Sequence, residues 1–192
     1  MPSYQQKQLL TSLFQQTESI LGKVIGEWQL VPHDLFASKP APDKWSANEC
    51  LQHLNNYGRY YLPAIDKAMK ASPSAPAEQF HSGWLGNYFT RIMQPGSDGK
   101  LPMRMKSPQD YAPKTIVESH LVIAEFIEQQ ERLLKLLDAA SRVDLNKVKV
   151  GISIAPIIKM KLGDVFMFLI AHEVRHVQQA GRALTSAGGG GK

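Results

Sequence analysis

Among the six histidines of this chain, the pair His172 and His176 has a spacing that suggests shared chemistry. They lie in the stretch FMFLIAHEVRHVQQ, residues 166–179. On an α-helix, residues four apart lie one turn apart on one face, about 40° apart on the wheel. Gln179 falls about 20° from His172 by the same count, so the three make one polar stripe. Two neutral imidazoles so placed can share one metal ion. The spelling is also H-E-x-x-H, the helix motif of zinc proteases, with Glu173 where those enzymes carry a general base. A catalytic zinc site commonly needs a third protein ligand. The residues after His176, VQQAGRALTSAGGGGK, contain no His, Asp or Glu. The HExxH zinc-protease reading is therefore the least favoured, and Glu173 is read as a surface or salt-bridge residue.

The third ligand must come from upstream, where His33, His53, His81 and His120 stand. His53 is the strongest candidate, because it falls near the start of an apolar-rich helical segment and can face a core. Glu49, Tyr57 and Tyr60 share its face at i−4, i+4 and i+7. Glu49 has a competing structural role. Ser46 is a favourable N-cap and Glu49 follows three residues later, which is the capping-box spacing. His120 sits on a stripe that reads as ordinary core contact, while His33 and His81 fall in expected loops.

The elements that must position these residues are mostly helical. Leu9, Leu10, Leu13, Ile20, Leu21, Val24, Ile25 and Trp28 mark a first helix over Gln5–Val31, weakened by Gly22 and Gly26 and stopped by Pro32. The turn-rich segment PAPDKW, residues 40–45, leads to Ser46 and a helix reaching about Ala71. Pro63 should kink that helix or split it in two. A Pro/Ser/Ala loop over Ser72–Ala77 and a short helix over Trp84–Met93 follow. Gln94–Pro113, rich in Gly, Pro and Lys, reads as a long irregular excursion that could form a lid or pocket wall. An amphipathic helix should run from Pro113 to about Ala140. Partial alternation over Val143–Ile154 permits a short strand, and Pro156 argues against a long one. Gly163-Asp164 should open the last helix, ending near Leu184, before a low-complexity disordered tail over 185–192. The sum is an all-α antiparallel helical bundle formed by a single domain over residues 1–184.

Composition narrows the function classes. At 192 residues the chain can bury a sizeable core. The single cysteine, Cys50, excludes an intramolecular disulfide and a Cys-rich zinc site. The longest apolar run, Val165–Ala171, is too short to span a bilayer. The first residues, MPSYQQKQLLTSLF, show no basic segment followed by an apolar core, so a cytoplasmic protein is expected. Net charge is +5, with part of the excess at Arg142, Lys147, Lys149, Lys159 and Lys161 opposed only by Asp144. That excess reads as a solvated surface, since no Arg/Lys stripe with interleaved aromatics and no nucleic-acid motif accompanies it.

Together these residues resemble the DinB-like superfamily, particularly its DinB_2 branch. The resemblance rests on Trp45, Ser46, Glu49, His53 and Leu54, in a W-S-x-x-E-x-x-x-H-L pattern, on the proline-bearing loop before them, and on His172, Arg175, His176 and Gln179 in the last helix. It spans Trp45 to Leu184. It implies an up-down-down-up four-helix bundle that binds a divalent ion, often nickel or zinc, through His53, His172 and His176. It further implies a dimer and a small-molecule substrate, with low-molecular-weight thiols or water activated for S-transfer or hydrolysis. Gly58, Pro63 and the long excursion between the second and third bundle helices depart from the family pattern. No catalytic residue is assigned. Gln179, Glu49 and Tyr57 are the candidates to support the ligands. A non-catalytic metal- or ligand-binding bundle and a metal-free helical interaction protein remain open beside the metalloenzyme.

Overall fold

A computed structural model describes residues 1–94, 108, 111–113 and 117–188. Four long helices make the frame: α1 (Gln6–Lys23), α3 (Ala47–Ala71), α5 (Ser119–Ala140) and α6 (Leu162–Gly188). Shorter helices α2 (His33–Phe36) and α4 (Trp84–Met93) lie between them in the chain. Two antiparallel strand pairs complete the described elements. β1 (Ser3–Gln5) pairs with β2 (Gln79–His81), and β3 (Lys149–Ile152) pairs with β4 (Ala155–Lys161). Among the described residues no helix is long and apolar enough to cross a membrane.

Side-chain pairs fix the helix directions. Asn48 Nδ2 donates to Val117 O and Asn55 Nδ2 to Val122 O, so α3 and α5 run parallel. Tyr57 packs on His172 while Tyr61, further along α3, packs on Phe168, earlier in α6, so those two run antiparallel. Gln6 at the start of α1 reaches Val143 O beyond the end of α5, which sets that pair antiparallel. The α1 helix touches α5 and α6, and α3 touches the same two. The result is the up-down-down-up bundle, with α1 diagonal to α3.

Local chemistry explains where α3 starts and how its neighbours pack on it. Ser46 Oγ accepts from Glu49 N at 3.1 Å and Glu49 Oε2 accepts from Ser46 N at 2.9 Å, a complete capping box that starts α3. The first helix does not run unbroken to Val31. After Lys23 it widens into a π-helical turn over Val24–Trp28, between Gly22 and Trp28, whose buried indole packs edge-on against Phe36 at 5.9 Å. Pro63 leaves α3 continuous to Ala71 rather than splitting it. It sits on the exposed face, where the carbonyl it leaves unbonded meets water. Gly58 allows the close α3–α5 approach. A Cβ there would run into the side chain of Gln129, which donates to Asn55 O and Glu125 Oε1.

Two expectations are corrected. Pro156 does not end the strand region. It lies within β4, opposite the point where β3 slips register between Gly151 and Ile152, and such irregular edge positions tolerate a residue without an N–H. The last helix passes Leu184 and reaches Gly188. Residues 189–192 of the tail, most of the Gln94–Pro113 excursion and residues 114–116 of the expected third helix lie outside the described residues.

The core is two apolar clusters stacked along the bundle. One holds Leu9, Leu10, Leu13, Tyr61, Leu133, Leu137, Phe166 and Leu169, among others. The second holds Ile20, Val24, Leu51, Leu54, Phe126, Val177 and Ala180. A buried polar layer lies at their boundary: Thr17 on α1, His53 on α3, Gln130 on α5, and His172, Glu173 and His176 on α6.

Candidate metal centre

Each histidine reaches this layer for a local reason. His53 lies almost two turns past the Ser46 cap, on the face of α3 that Cys50 and Tyr57 share and that packs inward. His172 and His176 project one turn apart from α6, whose apolar residues pack on both sides. His53 Nδ1 is 2.8 Å from Tyr111 O. A carbonyl can only accept, so Nδ1 carries the proton and Nε2 presents its lone pair. That Nε2 is 3.0 Å from His172 Nε2. One nitrogen from each of His53, His172 and His176 lies within 4.8 Å of the others. All three residues are buried, at 2%, 2% and 9% exposure.

Burial also sets their charge. His53 is pushed down to about 4, first by desolvation and then by the charge of Arg175, against its hydrogen bond to Tyr111. His176 is pushed down to about 3 by desolvation, His53 and Arg175, with only the Gln179 side chain favouring its charged form. His172 is held well below the usual imidazole range by desolvation and by the other two rings. All three are neutral at pH 7, the form that ligates.

The residues fit a divalent ion. Two nitrogens each about 2.1 Å from one ion stand roughly 3.0–3.4 Å apart, so the 3.0 Å pair already lies at that separation. His172 Nδ1 and His176 Nδ1 find no hydrogen-bond partner among the described residues. An ion on His172 Nε2 leaves its Nδ1 unbonded, so the fit rests on the Nε2 separation and on the convergence of the three rings.

Aromatic rings wall the cluster. Trp45 lies 5.0 Å from His53 and 5.8 Å from His176. Tyr57 lies 4.5 Å from His172, and Phe168 stacks on the same ring at 5.8 Å. The three imidazoles, Tyr57, Arg175 and Gln179 line a cavity of about 370 Å³ that reaches the exposed Asp43 and Lys44. Arg175 is anchored by a hydrogen bond to Ile92 O at 3.2 Å.

Two of the supporting candidates from the sequence, Tyr57 and Gln179, therefore line the cavity. The third, Glu49, does not. Its carboxylate is held by the cap and by Lys39 Nζ at 2.8 Å. His33 bonds Ser119, His81 bonds Ser3, and neither approaches the cluster. His120 is exposed rather than a core contact.

Glu173 corrects the sequence reading most sharply. It is neither a surface residue nor a salt-bridge partner among the described residues. It is 5% exposed, and its Oε1 accepts from Gln130 Nε2 at 3.1 Å. Burial pushes its pKa up to about 7. Its Oε2 and Gln130 Oε1 have no partners among the described residues. A proton on the acid would turn one of these two unpaired buried acceptors into a donor. The carboxyl serves the core, not the cavity, so it is no protease base. A signal for this was present: Leu169, Val177 and Ala180 share its side of the wheel at −4, +4 and +7. Tyr111 O, Met93 and Gln130 were not found by motif or periodicity, because each contact joins distant segments.

The family model described as DinB superfamily matches residues 17–180, a span containing all three histidines. The chain belongs to the DinB superfamily. No curated protein and no solved structure matches it. The DinB bundle and its buried histidine triad, able to hold a metal ion, are thus joined in one chain.

Proposed function

We propose that His53, His172 and His176 hold one divalent ion, nickel or zinc, and that this DinB-superfamily protein is a metal-dependent enzyme acting on a small molecule. The observation that carries the reading is the meeting of three buried, neutral imidazoles at the floor of a 370 Å³ cavity. When bound, such an ion would lower the pKa of a thiol or water brought to it and so supply a nucleophile near neutral pH. That chemistry suits S-transfer from a low-molecular-weight thiol, or hydrolysis. The chain's own residues have separable tasks. The Tyr111 carbonyl orients the His53 ring, Trp45 and Tyr57 restrict water around the imidazoles, and Gln179 at the cavity wall orients what enters. The protein acts in the cytoplasm, as a homodimer.

The test is metal content after purification without chelator or nickel resin. About one equivalent per chain is expected, falling to near zero in His53→Ala. Less than about a tenth of an equivalent, unchanged by that substitution, would sink the proposal. Turnover of small thiols with electrophilic acceptors, compared with ester hydrolysis, then separates the two reaction types.

A further inference from the structure

Beside the cavity lies a second, smaller chamber of about 90 Å³. The two share Tyr57, Met93 and Pro108 as a common wall. Beyond that wall the lining is apolar: Phe89, Ile152, Ile154, Met160 and Phe168. The polar atoms there are engaged with one another. Tyr61 OH donates to Ser153 Oγ at 3.3 Å and accepts from Ser153 N at 3.1 Å, and Tyr111 OH donates to Ser153 O at 3.4 Å. Phe168 and Tyr57 both lie against the His172 ring, so the chamber stands one ring away from the imidazoles. Met93, unbranched and 8% exposed, is the adaptable element of the shared wall.

We infer that the substrate of the histidine site carries an apolar group, alkyl or aryl, that lodges between the β3–β4 hairpin and the Tyr57 and Phe168 rings while its reacting atom faces the three histidines. A chamber lined mostly by hydrocarbon, with the Tyr61 and Ser153 groups paired to each other, stabilises nothing charged and favours hydrocarbon roughly in proportion to the area buried. Its volume is below the roughly 150 Å³ that encloses a whole benzene ring. A short chain fits as it stands, and a ring fits when Met93 changes rotamer. The inference rests on the proposed metal site for the position of the reacting atom, but not for the chamber.

The experiment is calorimetric titration of the zinc-loaded protein with n-alkanethiols from ethanethiol to pentanethiol, in the natural sequence and in Ile154→Trp. Ile154 is 58% exposed, so an indole there fills the chamber mouth without disturbing a packed core. Affinity should rise about fourfold per methylene. In Ile154→Trp the gain should fall below about twofold, leaving ethanethiol binding unchanged. A flat series, or a rise that Ile154→Trp leaves intact, overturns the inference. Should the protein take up no zinc, toluene titrated into the metal-free chain decides instead. Chemical-shift changes at Tyr57, Phe89 and Phe168 that Ile154→Trp abolishes uphold the chamber, and their absence overturns it. The metal reading then fails alone in the first case and together with the chamber in the second.

Discussion

Glu173→Gln isolates the cost of a buried acid between two histidines. The carboxyl has a folded pKa of about 7, raised by burial from its ordinary 4.5. Below pH 4.5 it is protonated in both the folded and unfolded chain, and its stability contribution is fully present. As pH rises toward 7 the unfolded chain releases the proton while the folded chain keeps it. Stability falls by about 1.4 kcal/mol per pH unit over that window. The total approaches roughly 3 kcal/mol above pH 7. Glutamine matches the shape, keeps an acceptor for Gln130 Nε2 and puts a donor in place of the unpaired Oε2, without a charge. Urea unfolding of metal-free protein should find Glu173→Gln the more stable, by a margin that widens by roughly 2 to 3 kcal/mol between pH 5 and pH 8. Taking the difference cancels the histidines, which titrate alike in both. A margin constant across that range would show that Glu173 does not hold its proton in the core, and the account of the polar layer would fail with it.

Metal-free protein of the Glu173→Gln background should lose stability in acid. The folded pKa values of His53 and His176 are depressed to about 4 and about 3, so their contribution is present above the unfolded value of 6.5 and lost as pH falls below it. Between pH 7.5 and pH 5 each should cost roughly 2 kcal/mol in a urea series, and a bound ion should blunt the loss. A different arm of the frame is tested by Gly58→Ala. Its methyl must displace the Gln129 side chain from Asn55 O, and about 1 to 3 kcal/mol of destabilisation is expected in thermal unfolding, against the stabilisation an ordinary helical Gly→Ala would give.

What was legible in the sequence was local. The Ser46–Glu49 capping box, the one-turn spacing of His172 and His176 and the bounds of Trp84–Met93 all depend on residues within a turn or two of each other. His53 could be ranked first because it falls near the start of an apolar-rich helical segment and so can face the core. The strand pairs could not be read so easily. Ser3–Gln5 and Gln79–His81 are three residues each and pair across more than seventy positions, too short to show a period. Glu173 was misplaced because a charged letter was weighed above the wheel, which puts it in line with Leu169 and Val177. Burial overrides that letter when a partner such as Gln130 is available, and the partner sits on a diagonal helix that periodicity cannot reach.

The buried polar layer also acts as a key for helix register. Apolar side chains above and below it would accept a slide of α6 against α5 by one turn, about 5.4 Å, with modest loss. Such a slide would leave Glu173 and Gln130 each buried against hydrocarbon, so the pair admits one vertical alignment. Because the helix is stiff, holding Glu173 also fixes the heading of His172 on one side and His176 on the other. Replacing Glu173 and Gln130 together by leucine should therefore give a bundle that melts later yet gathers its histidines less faithfully. In this chain the alignment of the frame and the aim of the imidazoles are decided by the same contact.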